Sequence, residues 1–171
     1  VMNHKNGHAL VIGAGIGGIR ASLDLAEFGY SVTLVDRAPH LGGILSQLDF
    51  QFPSNRCGIC RMLPGAHPDA SESMCLRRGL MHDRIDLRLM TTVQEVEGEA
   101  GDFRVRLKKQ PQMVNPAVCR GCGLCESVCP ITVPDAFNAG LSERKAIYLP
   151  TPHMESSGYV IDLEHCNRCG A

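Results

Sequence analysis

Six of the nine cysteines in this 171-residue chain lie within residues 112–171, and their spacing is its strongest chemical signal. The run is Cys119-x-x-Cys122-x-x-Cys125-x-x-x-Cys129-Pro130. Three thiolates at that interval can wrap one cubane, because each turn of loop returns a sulfur to another iron corner. Where two cubanes share such a run, the fourth cysteine, followed by Pro, ligates the other one. By that logic Cys119, Cys122 and Cys125 bind a first [4Fe–4S] cluster with a distal cysteine beyond residue 171. Cys129 joins Cys166 and Cys169 around a second. A one-cluster alternative puts all four of the first run on a single cubane. Structural zinc would need two C-x-x-C pairs separated by a knuckle, which this run is not.

The second cysteine group copies the first. Val114-Asn115-x-x-x-Cys119-x-x-Cys122-Gly123 lines up with Ile161-Asp162-x-x-x-Cys166-x-x-Cys169-Gly170 at an offset of 47 residues. The partner of Cys125 would fall at position 172, one past the end, and the chain opens on Val1 rather than Met. It reads as a fragment of a longer protein.

A different chemistry sits near the start. Gly13-x-Gly15-x-x-Gly18 follows an apolar run, and Asp36 stands eighteen residues after its last glycine. The first glycine permits a tight turn, the second lets backbone approach a pyrophosphate, and the third allows close helix–strand packing. A helix N-terminus then presents free N–H groups and a positive dipole end to phosphate. Asp36 would accept from ribose hydroxyls and repel a 2′-phosphate, which argues against NADP. Asp36-Arg37-x-x-x-x-Gly42-Gly43 resembles the second fingerprint of the two-dinucleotide-binding flavoproteins, in which paired glycines let a loop pass over FAD. FAD is therefore favoured over NAD.

The remaining candidates are weaker. Cys57-Gly-Ile-Cys60 sits in a Pro/Gly-rich stretch and admits three readings: cluster ligands, a redox-active dithiol, or inert thiols. Cys75 reads as a buried small hydrophobe. The seven histidines show no ligand-type pairing, and no Ser/His/Asp or paired-carboxylate arrangement stands out, so no catalytic residue is assigned.

These residues need elements to hold them. Residues 8–13 and 31–35 read as strands, with a helix from Ile19 to Phe28 ended by Gly29. Residues 37–82 read as mostly loop, with a short helix near 69–80. Alternation at Ile85, Leu87, Leu89 and again at Phe103, Val105, Leu107 reads as antiparallel strands over 85–108, turning at Gly98 to Gly101. The opposite side chains, Arg104 and Arg106 among them, read as a solvated face. The texture changes at Pro111, so residues 1–110 are expected to form the N-terminal part of a Rossmann-like FAD-binding domain. Residues 111–171 are expected to form a ferredoxin-type α+β domain, truncated at its second cluster motif.

Composition excludes several classes. With 17 Lys+Arg against 18 Asp+Glu the net charge is −1, which leaves no electrostatic footprint for nucleic acid or an anionic membrane. At 44% hydrophobic and 20% charged the chain is globular. The longest uncharged stretch near the start, Ala9 to Ile19, is 11 residues, too short to cross a bilayer. Nothing reads as a secretory signal, so a cytoplasmic location is expected, and clustered cysteines there point to metal or redox chemistry.

The order of these parts resembles the iron–sulfur flavoprotein subunit of heterodisulfide reductase and its bacterial relatives. The resemblance rests on the flavin fingerprint, then L-G-G-I-x-x-Q-L-D-x-x-F-P-x-x-x-C-x-x-C, the cysteine run, R-K-A-I-Y-L-P at 144–150 and Y-V-I-D at 159–162. It implies a thioredoxin-reductase-like FAD domain interrupted by a ferredoxin domain, passing electrons between FAD and [4Fe–4S] clusters. Flavin-based electron bifurcation, other heterodisulfide reductase-type subunits, a hydrogenase or other donor, and ferredoxin as partner are implied with it. Gly13, Gly15, Gly18, Asp36, Arg37, Gly42 and Gly43 would then contact FAD, and Cys119, Cys122, Cys125, Cys129, Cys166 and Cys169 would hold clusters. Cys57 and Cys60 match the family's pair, which favours a redox role without fixing its nature. The alternatives are a quinone-interacting oxidoreductase flavoprotein subunit, a ferredoxin-like carrier without flavin, and a zinc-binding module.

Overall fold

The computed structural model describes residues 7–48, 82–152 and 158–170. Strand β1 (His8–Ile12) leads through the glycine turn into helix α1 (Ile16–Glu27) and then β2 (Ser31–Val35). β1 and β2 pair in parallel, His8 opposite Ser31 through Ile12 opposite Val35. α1 lies on this sheet because Ile19, Ser22 and Ala26 share one stripe, and all three are buried. It ends at Gly29, whose φ of 90° is the left-handed turn that glycine adopts without strain. Gly29 N–H then donates to Ala26 C=O at 2.9 Å and Tyr30 N–H to Leu25 C=O at 3.0 Å, satisfying carbonyls the helix end leaves free. Ala14, Ile19, Leu34 and Leu41 form the core, with Val11, Leu23, Ile85, Leu87 and Leu89 packed around them. This is an α/β, Rossmann-like unit.

Strand β3 (Ile85–Arg88) departs from expectation. It is not antiparallel to its sequence neighbours but pairs in parallel with β2, giving the sheet order β1-β2-β3. The alternation that reads as continuous serves two sheets, because Met90, at φ 52°, kinks the chain right after β3. The antiparallel hairpin is β4 (Thr91–Glu99) with β5 (Asp102–Lys109), bulged between Val93 and Glu95. Its basic face is solvated as expected, with Arg106 paired to Glu95 at 2.8 Å. Its apolar face is more open than the pattern suggests, since Phe103 is 61% exposed. The short helix expected near 69–80 lies outside the described residues.

The cysteine-bearing part is built from small pieces. Helix α2 (Leu124–Val128) precedes two antiparallel pairs, β6 (Thr132–Pro134) with β7 (Glu143–Lys145) and β8 (Ile147–Tyr148) with β9 (Val160–Ile161). Val133, Ala146, Tyr159 and Val160 are its buried apolar residues. Among the described residues, no helix is long and apolar enough to cross a membrane.

Two positions on α1 respond oppositely to one methyl-scale change. A β-carbon on Gly18 would collide with the carbonyl oxygen of Gly13. Ser22 hides its hydroxyl with no hydrogen-bond partner among the described residues. Gly18→Ala is expected to lower stability by about 1–3 kcal/mol through overpacking. Ser22→Ala is expected to raise it by about 1 kcal/mol by removing a desolvated, unpaired hydroxyl. Urea unfolding midpoints of both variants check the pair.

Candidate functional site

The glycine turn is fixed by contacts from far along the chain. Gly13, at φ 98°, sends its N–H to Val35 C=O at 2.8 Å. Ala14 N–H donates to Asp36 Oδ2 at 2.6 Å, while Asp36 Oδ1 accepts from Ala38 N–H at 2.7 Å. One carboxylate therefore holds both the turn after β1 and the loop after β2. Gly42 N–H donates to Ala14 C=O at 2.8 Å, and a β-carbon on Gly43 would sit 3.3 Å from Gly15 Cα. Thus Gly42 and Gly43 lie directly on the Gly13–Gly15 turn, although 27 or more residues separate them in sequence.

This geometry suits a dinucleotide phosphate. A β-carbon on Gly15 would meet nothing within 4 Å, so the backbone there is open. Gly15 caps α1, whose first N–H groups have no partner within the helix, and no acidic side chain occupies its first turn. Arg37 is exposed, at a cleft of about 400 Å³ that it lines with Tyr148, Asp162 and Glu164.

The cysteines divide between a loop and a cavity. Cys119, Cys122 and Cys125 follow one another through a segment in which Gly121 and Gly123 take φ 64° and 78°. Tyr159 N–H points at Cys119 Sγ, 3.5 Å away, and Gly158 has no room for a β-carbon beside that same side chain. The Tyr159 and Gly121 N–H groups hold the Cys119 thiol below its ordinary pKa, against a smaller effect of burial. Burial pushes the Cys125 thiol up, helped by the charges of Cys119 and Cys122. Cys129 lines a cavity of about 550 Å³ together with Cys166, Cys169 and Cys125, walled by apolar side chains such as Val128 and Ile147. Burial alone would raise its thiol, but hydrogen bonds with the backbone at Ile147, Ile131 and Ala146, and the charge of Lys145, hold it below the ordinary value. Lowered thiol pKa values suit metal ligation, which requires the thiolate. Among the described residues, no three His, Cys, Asp or Glu side chains converge on a point that could hold a single metal ion. Cys57, Cys60 and Cys75 lie outside the described residues.

Residues 11–60 match the family model of the NAD(P)-binding Rossmann-like domain. Over nearly its whole length the chain also matches longer curated proteins. It is 46% identical to a CoB–CoM heterodisulfide reductase iron–sulfur subunit of Methanopyrus kandleri, over 90% of this chain and 22% of that protein. It is 41% identical to the corresponding iron–sulfur subunit of Methanocaldococcus jannaschii, over 94% of this chain and 23% of that one. The chain belongs to this heterodisulfide reductase iron–sulfur subunit family. It spans a little under a quarter of the length of these relatives. The equivalent subunit of the H(2):CoB–CoM heterodisulfide, ferredoxin reductase of Methanothermobacter marburgensis matches at 37%, over 94% of this chain and 23% of its own.

Several residues that build the two sites carry no motif. His40 and Ser46 are buried beneath the Gly42-Gly43 loop, where Ser46 Oγ donates to Gly43 C=O at 2.7 Å and lies 3.0 Å from His40 Nδ1. The three-residue spacing from Gly43 to Ser46 is a local hydroxyl-to-carbonyl pattern, and it is the only sequence signal for that pair. Tyr159 stands in the sequence only within Y-V-I-D at 159–162, with no role attached to it. Its hydroxyl donates to Glu126 Oε2 at 2.8 Å, and burial together with that bond pushes its pKa up to about 12.

Asp36 gives the sharpest test of the glycine site in this family member. Asp36→Ala removes a charged acceptor from two backbone N–H groups and is expected to cost about 2–4 kcal/mol. Asp36→Asn keeps one amide oxygen and should fall between Asp36→Ala and the wild type. Denaturant unfolding of the three proteins, read as midpoints at constant slope, checks the ranking.

Proposed function

We propose that the chain is the part of an iron–sulfur flavoprotein oxidoreductase subunit that seats one FAD and two [4Fe–4S] clusters. Its residues 111–171 act as a ferredoxin-type domain inserted after the flavin fingerprint. The observation that carries the reading is that Cys129 lines one cavity with Cys166 and Cys169, 37 and 40 residues further on, with Cys125 of the first run at its edge. A crosswise pair of clusters requires that grouping, and a single cubane on the first run does not.

When bound, FAD exchanges electrons in pairs or singly, while each cluster carries them one at a time. The chain's own work is placement. Gly13 makes the tight turn, Gly18 packs the helix against it, Gly15 would bring backbone up to the pyrophosphate, and Gly42-Gly43 would close over it. Asp36 holds that turn and would accept from the ribose, with Arg37 at its outer edge. Cys119, Cys122 and Cys125 supply thiolates to the first cluster, and Cys129, Cys166 and Cys169 to the second. Hydrogen bonds to sulfur, such as that from Tyr159 N–H, and the degree of burial set the potentials. No side chain is required as a general acid or base.

The names of the relatives supply the wider setting. A heterodisulfide of coenzymes B and M as final acceptor, a hydrogenase or other donor, and ferredoxin as second acceptor are proposed for the complete protein, in complex with further subunits. Bifurcation of electron pairs at the flavin belongs to the same proposal.

Cofactor analysis of the intact protein, prepared without oxygen, tests the reading. About one flavin per chain with eight or more irons is expected, on the count of two cubanes. Cys129→Ala should remove the second cluster's share of iron and leave flavin unchanged. Iron without flavin would leave a carrier, and zinc with neither would overturn the redox reading.

A further inference from the structure

The internal repeat is a repeat of conformation as well as of sequence. Asn115 Oδ1 accepts from Ala117 N–H at 3.0 Å, and its carbonyl accepts from Cys119 N–H at 3.1 Å. Forty-seven residues later, Asp162 Oδ1 accepts from Glu164 N–H at 3.2 Å, and its carbonyl accepts from Cys166 N–H at 2.9 Å. The left-handed positions also correspond, with Gly121 and Arg168 at φ 64° and 58°, and Gly123 and Gly170 at 78° and 79°. Each copy is thus one Asx turn that presents one cysteine through one backbone bond.

The copies differ in what grips the turn. Asn115 is neutral and exposed. Asp162, with its side chain only 13% exposed, takes a hydrogen bond from an Arg144 guanidinium nitrogen at 2.8 Å and lies 3.0 Å from His165 Nδ1. Arg144 is itself pinned, donating to Lys145 C=O at 3.1 Å and stacking 3.9 Å above the Tyr148 ring. A half-buried, multiply bonded ion pair is stiffer than a lone exposed turn and less screened by solvent.

We propose that Arg144 is a positioning residue for the second cysteine turn. Through Asp162 it holds Cys166 and Cys169 in ligand-presenting shape and sets the charge beside them. The two otherwise matching cluster sites are thereby unequal, and the Cys129–Cys166–Cys169 site retains its cluster longer. The inference rests on the cluster reading above.

The test uses the intact protein, purified without oxygen, with Asp162→Asn, Arg144→Gln and Asn115→Asp as variants. Asp162→Asn preserves the turn, since an asparagine already makes it in the first copy. The readouts are chelator-driven iron release and the midpoint potential of each cluster by EPR-monitored titration. In wild type, iron should leave in a fast and a slow phase. Asp162→Asn and Arg144→Gln should each speed the slow phase on the order of tenfold, the equivalent of losing about 1.4 kcal/mol of retention. The two should move one cluster's potential in opposite directions, upward where an anion is lost and downward where a cation is lost. Asn115→Asp should leave the slow phase alone. Shifts of the same sign in both variants, or no shift, would overturn the proposal while leaving the cluster reading intact. A wild type without iron and acid-labile sulfide would instead remove the cluster reading beneath it.

Discussion

The Asp36 carboxylate at the end of β2 is the point from which the Rossmann-like part of the molecule is organised. Its two oxygens take the N–H groups of Ala14 and Ala38, and its own backbone accepts from Thr91 and donates to Arg88. One residue therefore touches the turn after β1, the loop after β2, the end of β3 and the start of β4. A carboxylate suits this position because it accepts on both sides at once, and charged acceptors make the stronger bonds. The loop with Gly42 and Gly43 can close on Gly15 only because the Asp36–Ala38 corner aims it there.

Among the described residues, the cysteine-bearing part has no comparable sheet or long helix to rely on. Its longest regular element is the five-residue helix α2, and its strands are two or three residues long. Such pieces bury little apolar surface, so the order of this part comes from local turns and side-chain bridges. The turns are built from Asx hydrogen bonds and left-handed residues. The bridges are Tyr159 to Glu126 and Arg144 to Asp162, each joining segments that are remote in sequence.

Much of this was legible beforehand. Apolar stretches at 8–13 and 31–35, helical spacing at Ile19, Leu23 and Ala26, and Gly29 as the stop all describe β1, α1 and β2, because each signal is local. The direction of β3 was not legible. Alternation at Ile85, Leu87 and Leu89 specifies a half-buried strand but not its partner, and the partner is the free edge of β2, whose backbone N–H and C=O groups needed pairing. The His40–Ser46 pairing and the approach of Tyr159 N–H to Cys119 were likewise hidden, since no local pattern pairs these residues and their value lies in where the chain brings them.

The amino-acid order by itself determined the chemistry on offer: thiols at cluster spacing, glycines at a phosphate turn, an acid after the second strand, and two copies of one cysteine turn. Those are properties of short segments, set by sterics and by which atoms each residue carries. Only the tertiary structure decided which segments meet. It laid Gly42-Gly43 on Gly15, grouped Cys129 with Cys166 and Cys169, and gave one turn a half-buried ion pair while leaving its twin exposed. Contacts across 18 to 40 residues depend on the packing of the whole chain, and no local pattern encodes them.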